Sequence, residues 1–252
     1  MSFLVVDQAY LQGRLENFSC QLNKGSAVHV LGENGAGKSS LLQLIAGLLS
    51  PDSGAVYLDG QDLNHLSLAQ LASFRSFQQQ GLQPVFDLPV HEYLGFFATG
   101  SLPIPAQLEQ VFELNHLIDK TVTMLSGGEL QRVELCRALI QVWPAIRKGR
   151  ALLVFDEPLQ ALDIRHQLAF LTFSRELVSN GNTLLCSSHH IAHSARFADE
   201  VWCIKNGRLI ALGQPVKIIN PHILKRTYQC DFDVKRHANT WQIDALGTSD
   251  PY

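Results

Sequence analysis

The sequence lacks the cysteine spacing of a disulfide framework or a zinc ribbon. Its five cysteines stand far apart, and no two of them form a C-x-x-C pair. An odd number of scattered cysteines is more typical of reduced thiols than of paired ones. We therefore expect a protein that folds without disulfides in a reducing compartment such as the cytoplasm.

Long apolar runs are also missing. No segment approaches the roughly 18 consecutive apolar residues that a membrane-spanning helix needs. The first residues of the chain lack the basic region and apolar stretch of a secretory signal. We therefore expect any association with a membrane to be peripheral.

The sequence also has no excess of positively charged residues. The formal net charge is −3 at pH 7, and such a chain has no general attraction to polyanions. Nucleic acid is therefore not an expected partner.

The chain is long enough, with 252 residues of which 46% are hydrophobic, to bury a core of its own. Three short apolar runs, Ala27–Leu31, Ala151–Phe155 and Thr183–Ser187, are each followed by polar or glycine-bearing residues and then a helical pattern. This order predicts buried parallel strands in an α/β domain. The dipeptide Asn206-Gly207 between two apolar runs predicts a β-hairpin with a tight turn.

A glycine-rich loop follows the first apolar run. Residues 32–39, GENGAGKS, fit the pattern G-x-x-x-x-G-K-[ST]. Leucines and an isoleucine at helical spacing, up to Leu48, follow the loop and predict a helix that Pro51 ends. Backbone N–H groups of such a loop and the helix N-terminus cradle phosphates, the lysine reaches the β- and γ-phosphates, and the Ser hydroxyl binds Mg²⁺. The candidate phosphate-binding residues are Gly32, Asn34, Gly35, Gly37, Lys38, Ser39 and Ser40.

Two carboxylates, Asp156 and Glu157, follow the second apolar run. An acidic pair at a strand end is often only a solvated terminus. In a parallel sheet, however, this end lies at the same edge as the phosphate loop. We therefore expect Asp156 to join the Mg²⁺ shell, and Glu157 to orient or deprotonate an attacking water.

The run LSGGELQR, residues 125–132, begins a further helix and resembles the signature of ATP-binding cassette (ABC) ATPases. Ser126, Gly127 and Gly128 would otherwise form an ordinary helix start. The resemblance extends over roughly residues 5 to 230. It implies a P-loop NTPase of the ABC cassette type, with a RecA-like, mostly parallel sheet, an N-terminal antiparallel β part and an inserted α-helical subdomain.

The resemblance also implies an organisation of the chain. Residues 1–80 and 146–230 would form the nucleotide-binding core, and residues 81–145 the helical subdomain with the signature. Four prolines between Gly81 and Ile118 favour short helices there over more sheet. The tail, 231–252, is either a closing strand pair or a partner contact, and its last five residues are expected to fray.

Further site residues follow from the same resemblance. In the family two cassettes face each other, so Ser126, Gly127 and Gly128 would contact the γ-phosphate bound to the partner, with Asp163 beside it. His189, after the third apolar run, matches the switch histidine. Gln80 matches the glutamine that joins Mg²⁺ and attacking water to the permease. Neighbouring Gln78 and Gln79 are alternatives to Gln80.

Alternatives remain for the residue that stacks on adenine, and two further histidines follow His189. Tyr10 is the candidate for stacking on adenine, with a packing role or contact by Arg14 as alternatives. His190 and His193 are expected to face solvent, because the HHIAH run has no carboxylate or cysteine to complete a metal site.

The end of the cassette resembles the subunits of metal-chelate importers, which handle cobalamin, haem and ferric siderophores. The 30-residue spacing from Ser126 to Asp156, with its extra stretch at 142–149, and the segment 83–94 are most similar to cobalamin importers of Gram-negative bacteria. The resemblance implies a homodimer with ATP and Mg²⁺, docked on two transmembrane permease subunits and served by a periplasmic binding protein. It would act at the cytoplasmic face of the inner membrane.

Two other classes are weighed against this one. A soluble cassette that remodels ribosomes or DNA typically has two cassettes or a long coiled-coil insertion, and neither is present. A non-hydrolysing regulatory module is disfavoured because Lys38, Asp156, Glu157 and His189 are all in place.

Overall fold

The structure is a computed structural model that describes residues 3–81, 84–98, 104–237 and 240–247. Two of the sequence predictions fall outside these residues. They are the fraying of residues 248–252 and the parts of the helical segment at 82–83 and 99–103.

The described residues form twelve strands and ten α-helices. The strands are β1 (Leu4–Leu11), β2 (Leu15–Leu22), β3 (Ala27–Leu31), β4 (Ser53–Leu58), β5 (Gln61–Asp62), β6 (Arg75–Gln78), β7 (Leu152–Phe155), β8 (Thr183–Ser187), β9 (Glu200–Lys205), β10 (Arg208–Gly213), β11 (Asp231–His237) and β12 (Thr240–Gly247). The helices are α1 (Lys38–Ile45), α2 (Leu68–Ala72), α3 (Val90–Gly95), α4 (Ala106–Phe112), α5 (Gly127–Gln141), α6 (Trp143–Ile146), α7 (Ile164–Ser179), α8 (Ile191–Phe197), α9 (Pro215–Ile218) and α10 (Pro221–Tyr228). Three 3₁₀ turns lie at Leu63–His65, Leu114–His116 and Val122–Met124.

The central sheet has six strands in the order β10-β9-β3-β8-β7-β6. Neighbours pair in parallel from β9 to β6, and β10 adds an antiparallel edge. A separate antiparallel sheet has the order β2-β1-β4-β5. This arrangement confirms the expected cassette fold with its N-terminal antiparallel part.

The three apolar runs form central strands, and apolar cores cover both faces of the sheet that contains them. Every residue of β3, β7 and β8 is buried. Successive side chains of a strand point to opposite faces, so Leu153 and Phe155 pack into the core beneath the helices. Leu152 and Val154 pack into the second core, beside α1 and the antiparallel sheet.

Helices, rather than further strands, fill the described part of the chain between β6 and β7. α3 and α4 pack against α5, which is buried around most of its circumference from Val133 to Ile140. Val133, Cys136, Leu139 and Ile140, which recur at helical spacing, are therefore only part of its buried surface. α1 is shorter than its leucine pattern predicts and ends at Ile45, because Gly47 turns the chain with a positive φ of 67°.

The predicted hairpin at Asn206-Gly207 joins β9 and β10. Both turn residues have positive φ, 48° and 71°, as a type I′ turn requires. The tail forms a second hairpin, β11-β12, which is the first of the two alternatives for these residues. Its apolar residues pack against the core around α10, β9 and β10.

In the part of the chain that the structure describes, no helix is long and apolar enough to cross a membrane.

His29 is a buried titratable group in the middle of the sheet. It is 3% exposed, and its Nδ1 lies 3.0 Å from Ser194 Oγ on α8. Burial, followed by the charges of Arg175 and His193, lowers the pKa of His29 to about 4, although Asp199 acts in the opposite direction. The imidazole is therefore neutral in the folded protein at pH 5 to 7.

We predict that the wild-type protein loses about 2 kcal/mol more stability than a His29→Gln variant between pH 7 and pH 5. The unfolded histidine takes up a proton near pH 6.5, whereas the folded one does so only near pH 4, so stability falls as the pH falls through this window. Urea unfolding of both proteins at the two pH values measures the difference. Equal losses in the two proteins would assign the pH dependence to other groups.

Candidate active site

Four groups of candidate residues lie at one edge of the central sheet. β3, β6, β7 and β8 run in parallel, so their carboxyl ends meet at the same edge. The phosphate loop follows β3, the acidic pair follows β7, His189 follows β8 and Gln80 follows β6. This is the edge at which parallel α/β sheets bind ligands.

The phosphate loop surrounds the ammonium group of Lys38. Lys38 begins α1 and is 5% exposed, and its Nζ donates to Gly32 O at 2.9 Å and Glu33 O at 3.0 Å. Burial lowers the pKa of this lysine, while the nearby carboxylates of Glu157 and Asp156 raise it. A buried cation of this kind is a ready partner for phosphate oxygens.

Close backbone contacts explain two of the loop glycines. A Cβ on Gly37, which has φ of 104°, would lie 2.7 Å from Arg14 O. A Cβ on Gly32 would overlap Ile204 O. Both positions therefore exclude larger residues. Asn34, Gly35 and Ser39 are exposed along the loop and the first turn of α1, and Ser40 is half-buried.

Asp156 and Glu157 are held by a serine that the sequence analysis missed. Ser187, the last residue of β8, donates to Asp156 Oδ1 at 2.6 Å and accepts from the Glu157 backbone N–H at 2.8 Å. Asp156 is buried, and Glu157 has a positive φ of 53°. Such a backbone conformation is costly for a residue with a side chain and is often found where a functional group must be aimed.

The carboxylate of Glu157 lies between the histidine and the glutamine. His189 Nε2 is 2.5 Å from Glu157 Oε1, and Gln80 Nε2 donates to Glu157 Oε2 at 3.0 Å. Gln78, in contrast, is buried and donates to the neighbouring Gln79 O. Of the three consecutive glutamines, Gln80 is thus the one whose side chain reaches the acidic pair in this structure.

Gln160 is a second residue that the sequence analysis did not identify. Its Oε1 accepts from Gln80 Nε2 at 2.8 Å. It also lines a cleft of about 190 Å³ together with Glu157, Ser187 and His189. Its position three residues after Glu157 was the available signal, but a single polar residue in a loop indicates little by itself.

The signature residues begin α5 with a capping box. Ser126 Oγ accepts from the Glu129 N–H, and Ser126 N–H donates to Glu129 Oε2 at 2.9 Å. A hydrogen bond from Lys120, followed by those from Ser126, lowers the pKa of Glu129 to about 2. Ser126 and Gly127 themselves are exposed, so this helix end is open to a molecule outside the chain.

The contact that the structure shows for Gly128 is with the loop after Glu157 and not with the phosphate loop of the same chain. A Cβ on Gly128 would lie 2.9 Å from Ala161 O, whereas a Cβ on Gly127 would meet only the Ala161 side chain at 3.8 Å. Gln131 of the same helix donates to Pro158 O at 2.8 Å. The signature helix and this loop are therefore closely packed.

Asp163 caps the N-terminus of α7. Its Oδ1 accepts from the His166 N–H at 2.8 Å and lies 2.8 Å from His166 Nδ1. These hydrogen bonds lower the pKa of Asp163. The structure thus shows the capping role, and the expected place beside a partner's nucleotide remains a prediction.

Tyr10 and Arg14, the two candidates for the adenine contact, lie at different places in the structure. Tyr10 is partly exposed at the end of β1, and its carbonyl accepts from the Asp52 N–H. Arg14 lies in the turn between β1 and β2, where its carbonyl oxygen is next to Gly37 and Gly207. The backbone carbonyl of Arg14 thus lies beside the phosphate loop, and the adenine contact itself stays a prediction.

His190 and His193, the other two histidines of the HHIAH run, pack against each other. The rings of His190 and His193 are 5.3 Å apart, and His193 also lies near Phe197. His193 is half-buried rather than solvent-facing, because α8 turns it toward this ring. Among the residues that the structure describes, no group of three or more His, Cys, Asp or Glu side chains could hold a metal ion.

Comparison with known proteins defines the class. The ABC transporter family profile matches residues 15–160. The chain belongs to this family, and it is an ABC-type transporter ATPase that binds ATP.

Two relatives from bacteria are named as import proteins. The chain is 33% identical over 240 residues to the vitamin B12 import ATP-binding protein of Yersinia pseudotuberculosis, covering 93% of this chain and 94% of the relative. It is 36% identical over 232 residues to the hemin import ATP-binding protein of Hahella chejuensis, covering 90% and 91%.

Solved structures of ABC transporters share this fold, and one of them is an exporter. A nucleotide-free ATP-binding cassette from an ABC transporter matches with a TM-score of 0.73 at 25% identity, covering 89% of this chain and 98% of that one. A bacterial Atm1-family ABC exporter with ATP bound matches with a TM-score of 0.74 at 24% identity, covering 88% and 40%. The fold alone therefore does not distinguish import from export.

We predict that Gly128→Ala destabilises the nucleotide-free chain by about 1–3 kcal/mol, whereas Gly127→Ala changes its stability little. The added methyl group at 128 meets a backbone oxygen that cannot move without shifting the loop, and at 127 it makes an ordinary contact. Chemical denaturation of both variants without nucleotide tests this difference. Equal stability of the two variants would contradict the close contact with Ala161.

Proposed function

We propose that this chain is the ATP-hydrolysing subunit of an importer, with cobalamin as its transported compound. The observation that carries the hydrolytic part is the placement of Glu157 between His189 and Gln80, at the sheet edge where the phosphate loop surrounds Lys38. ATP hydrolysis needs positioned charges and an oriented water more than covalent chemistry.

The donor set of the site fits a magnesium nucleotide. Lys38 is buried with only backbone carbonyls as its described hydrogen-bond partners, and phosphate oxygens would be stronger acceptors. The Ser39 hydroxyl and the Asp156 carboxylate supply the hard oxygen ligands that Mg²⁺ prefers, and Gln80 can add a third. When bound, Mg²⁺ offsets the charge of the phosphates during transfer.

The chain's own residues would then perform the following steps. Backbone N–H groups of 34–39 and Lys38 hold the β- and γ-phosphates in line for attack. Glu157 orients a water and accepts its proton as the new bond to the γ-phosphorus forms. His189, which lies against Glu157 in this structure, can donate to a γ-phosphate oxygen. As the water oxygen bonds to the γ-phosphorus, the bond from phosphorus to the bridging oxygen breaks, and that oxygen stays on the β-phosphate of ADP, where Lys38 would offset its negative charge.

A complete site requires a second copy of the chain. The exposed Ser126 and Gly127 lie at a helix start suited to an anion, but the described contacts of this helix are with the loop at 158–161. In a head-to-tail homodimer, Ser126, Gly127 and Gly128 would reach the γ-phosphate held by the partner, with Asp163 beside it. Closing and opening of that dimer would provide the motion.

The motion would pass to a permease through the segment after Gln80. Val85 and Phe86 in this segment are 86% and 73% exposed. Exposed apolar side chains of this kind are typical of a partner surface. We place the homodimer on two transmembrane permease subunits at the cytoplasmic face of the inner membrane, with a periplasmic protein delivering the substrate.

Cobalamin is the first substrate candidate and haem the second. The vitamin B12 import relative covers slightly more of the chain, whereas the hemin import relative is slightly more identical. The cassette itself does not contact the transported compound in this scheme, so the choice must come from a transport measurement.

We predict that Glu157→Gln still binds ATP but lowers turnover by about 10²–10⁴-fold, because the amide cannot accept the proton from water. The variant should accumulate as a closed dimer with ATP, visible by size-exclusion chromatography. Lys38→Ala should weaken ATP binding itself, since it removes the buried charge of the loop. Near-normal turnover by Glu157→Gln would remove this residue from the proposed role.

Uptake measurements in cells distinguish the candidate substrates cobalamin and haem. In cells lacking this chain, we expect the uptake of labelled cobalamin to be lost, and to return with the wild-type gene but not with Glu157→Gln. Lost uptake of haem with unchanged uptake of cobalamin would keep the mechanism and replace the substrate. Normal uptake of cobalamin, haem and ferric siderophores would refute the importer assignment.

A further inference from the structure

The loop that follows Glu157 presents Gln160 to the amide of Gln80. Gln80 Nε2 donates to Gln160 Oε1 at 2.8 Å and to Glu157 Oε2 at 3.0 Å. A primary amide nitrogen has two hydrogens. Both can therefore be used at once, one toward the carboxylate and one toward Gln160.

This pair of hydrogen bonds determines which way the Gln80 amide points. An ionised carboxylate can only accept, so Glu157 favours the nitrogen side of the amide. Gln160 fixes the second hydrogen and thereby sets the rotation of the amide about its last bond. The carbonyl oxygen of Gln80 then lies on the side away from both acceptors, where it can serve as a ligand for a cation or a water.

The backbone that carries Gln160 is held from several sides. The Gln160 N–H donates to Glu157 O at 3.1 Å. Gln131 of the signature helix donates to Pro158 O, and Gln167 of α7 donates to Leu159 O and Leu162 O. A side chain on a braced backbone loses little further freedom when it forms a hydrogen bond.

We propose that Gln160 is a positioning residue for the hydrolytic step, acting through Gln80. It holds the Gln80 amide in the orientation that supports Glu157 and exposes the Gln80 carbonyl oxygen. The proposal rests on the ATPase mechanism given above. Because Gln160 is not part of the phosphate loop, its loss should affect turnover rather than ATP binding.

The test compares Gln160→Met with the wild-type full chain in a steady-state ATPase assay. Methionine has a similar length but cannot replace the amide acceptor. Removing one hydrogen bond of this kind should lower kcat roughly five-fold and change KM for ATP by less than about two-fold. Gln242→Met, at an exposed glutamine of β12 that also donates to a carboxylate, is the matched control and should retain wild-type kinetics.

A double-mutant cycle with Gln80→Ala separates positioning from a general structural effect. On the Gln80→Ala background, Gln160→Met should lower kcat by less than about two-fold, because the partner that it orients is gone. The melting temperature of Gln160→Met should stay within about 2 °C of wild type, since the side chain is exposed.

Two results would overturn the proposal. One is a kcat for Gln160→Met equal to that of the wild type, and the other is the same loss on both backgrounds. Failure of the underlying mechanism is seen separately, as normal turnover in Glu157→Gln. If Glu157→Gln is inactive while Gln160→Met is fully active, only the role of Gln160 is rejected.

Discussion

Parallel pairing of β6, β7, β8 and β3 is the constraint on which the site depends. Each strand is followed by a different candidate group, and parallel register brings all four strand ends to one edge. Residues that are more than 100 positions apart, such as Lys38 and His189, thereby meet at a common surface. The sheet can impose this register because both of its faces are covered by apolar cores.

At that edge the loop after β7 connects Glu157, the proposed hydrolytic residue, with the signature helix. Glu157 leaves the strand with a positive φ, Ser187 bonds to its backbone, and the following residues pack under Gly128. A displacement of the signature helix would therefore also shift the loop that carries Glu157 and Gln160. This continuity offers a physical route by which closure of a dimer could influence the hydrolytic residues.

Much of the fold was predictable because its signals are local. The buried strand Thr183–Ser187, the phosphate loop and the Asn206-Gly207 turn are each specified within a few residues. The length of α1 was misjudged, because Gly47 ends the leucine pattern earlier than Pro51 would. The half-buried state of His193 could not be foreseen, since it depends on packing against His190 and Phe197.

By itself the sequence determined the chemical types of the site: a lysine in a glycine loop, two carboxylates after a strand, and a histidine after the next. Those patterns carry their meaning within short segments of chain. Only the tertiary structure decided that Gln80 among three glutamines reaches Glu157, that Ser187 holds the acidic pair, and that Gln160 completes the amide network. These are contacts between side chains and backbone groups on different strands and loops, and local sequence contains no information on such distances until the sheet brings them together.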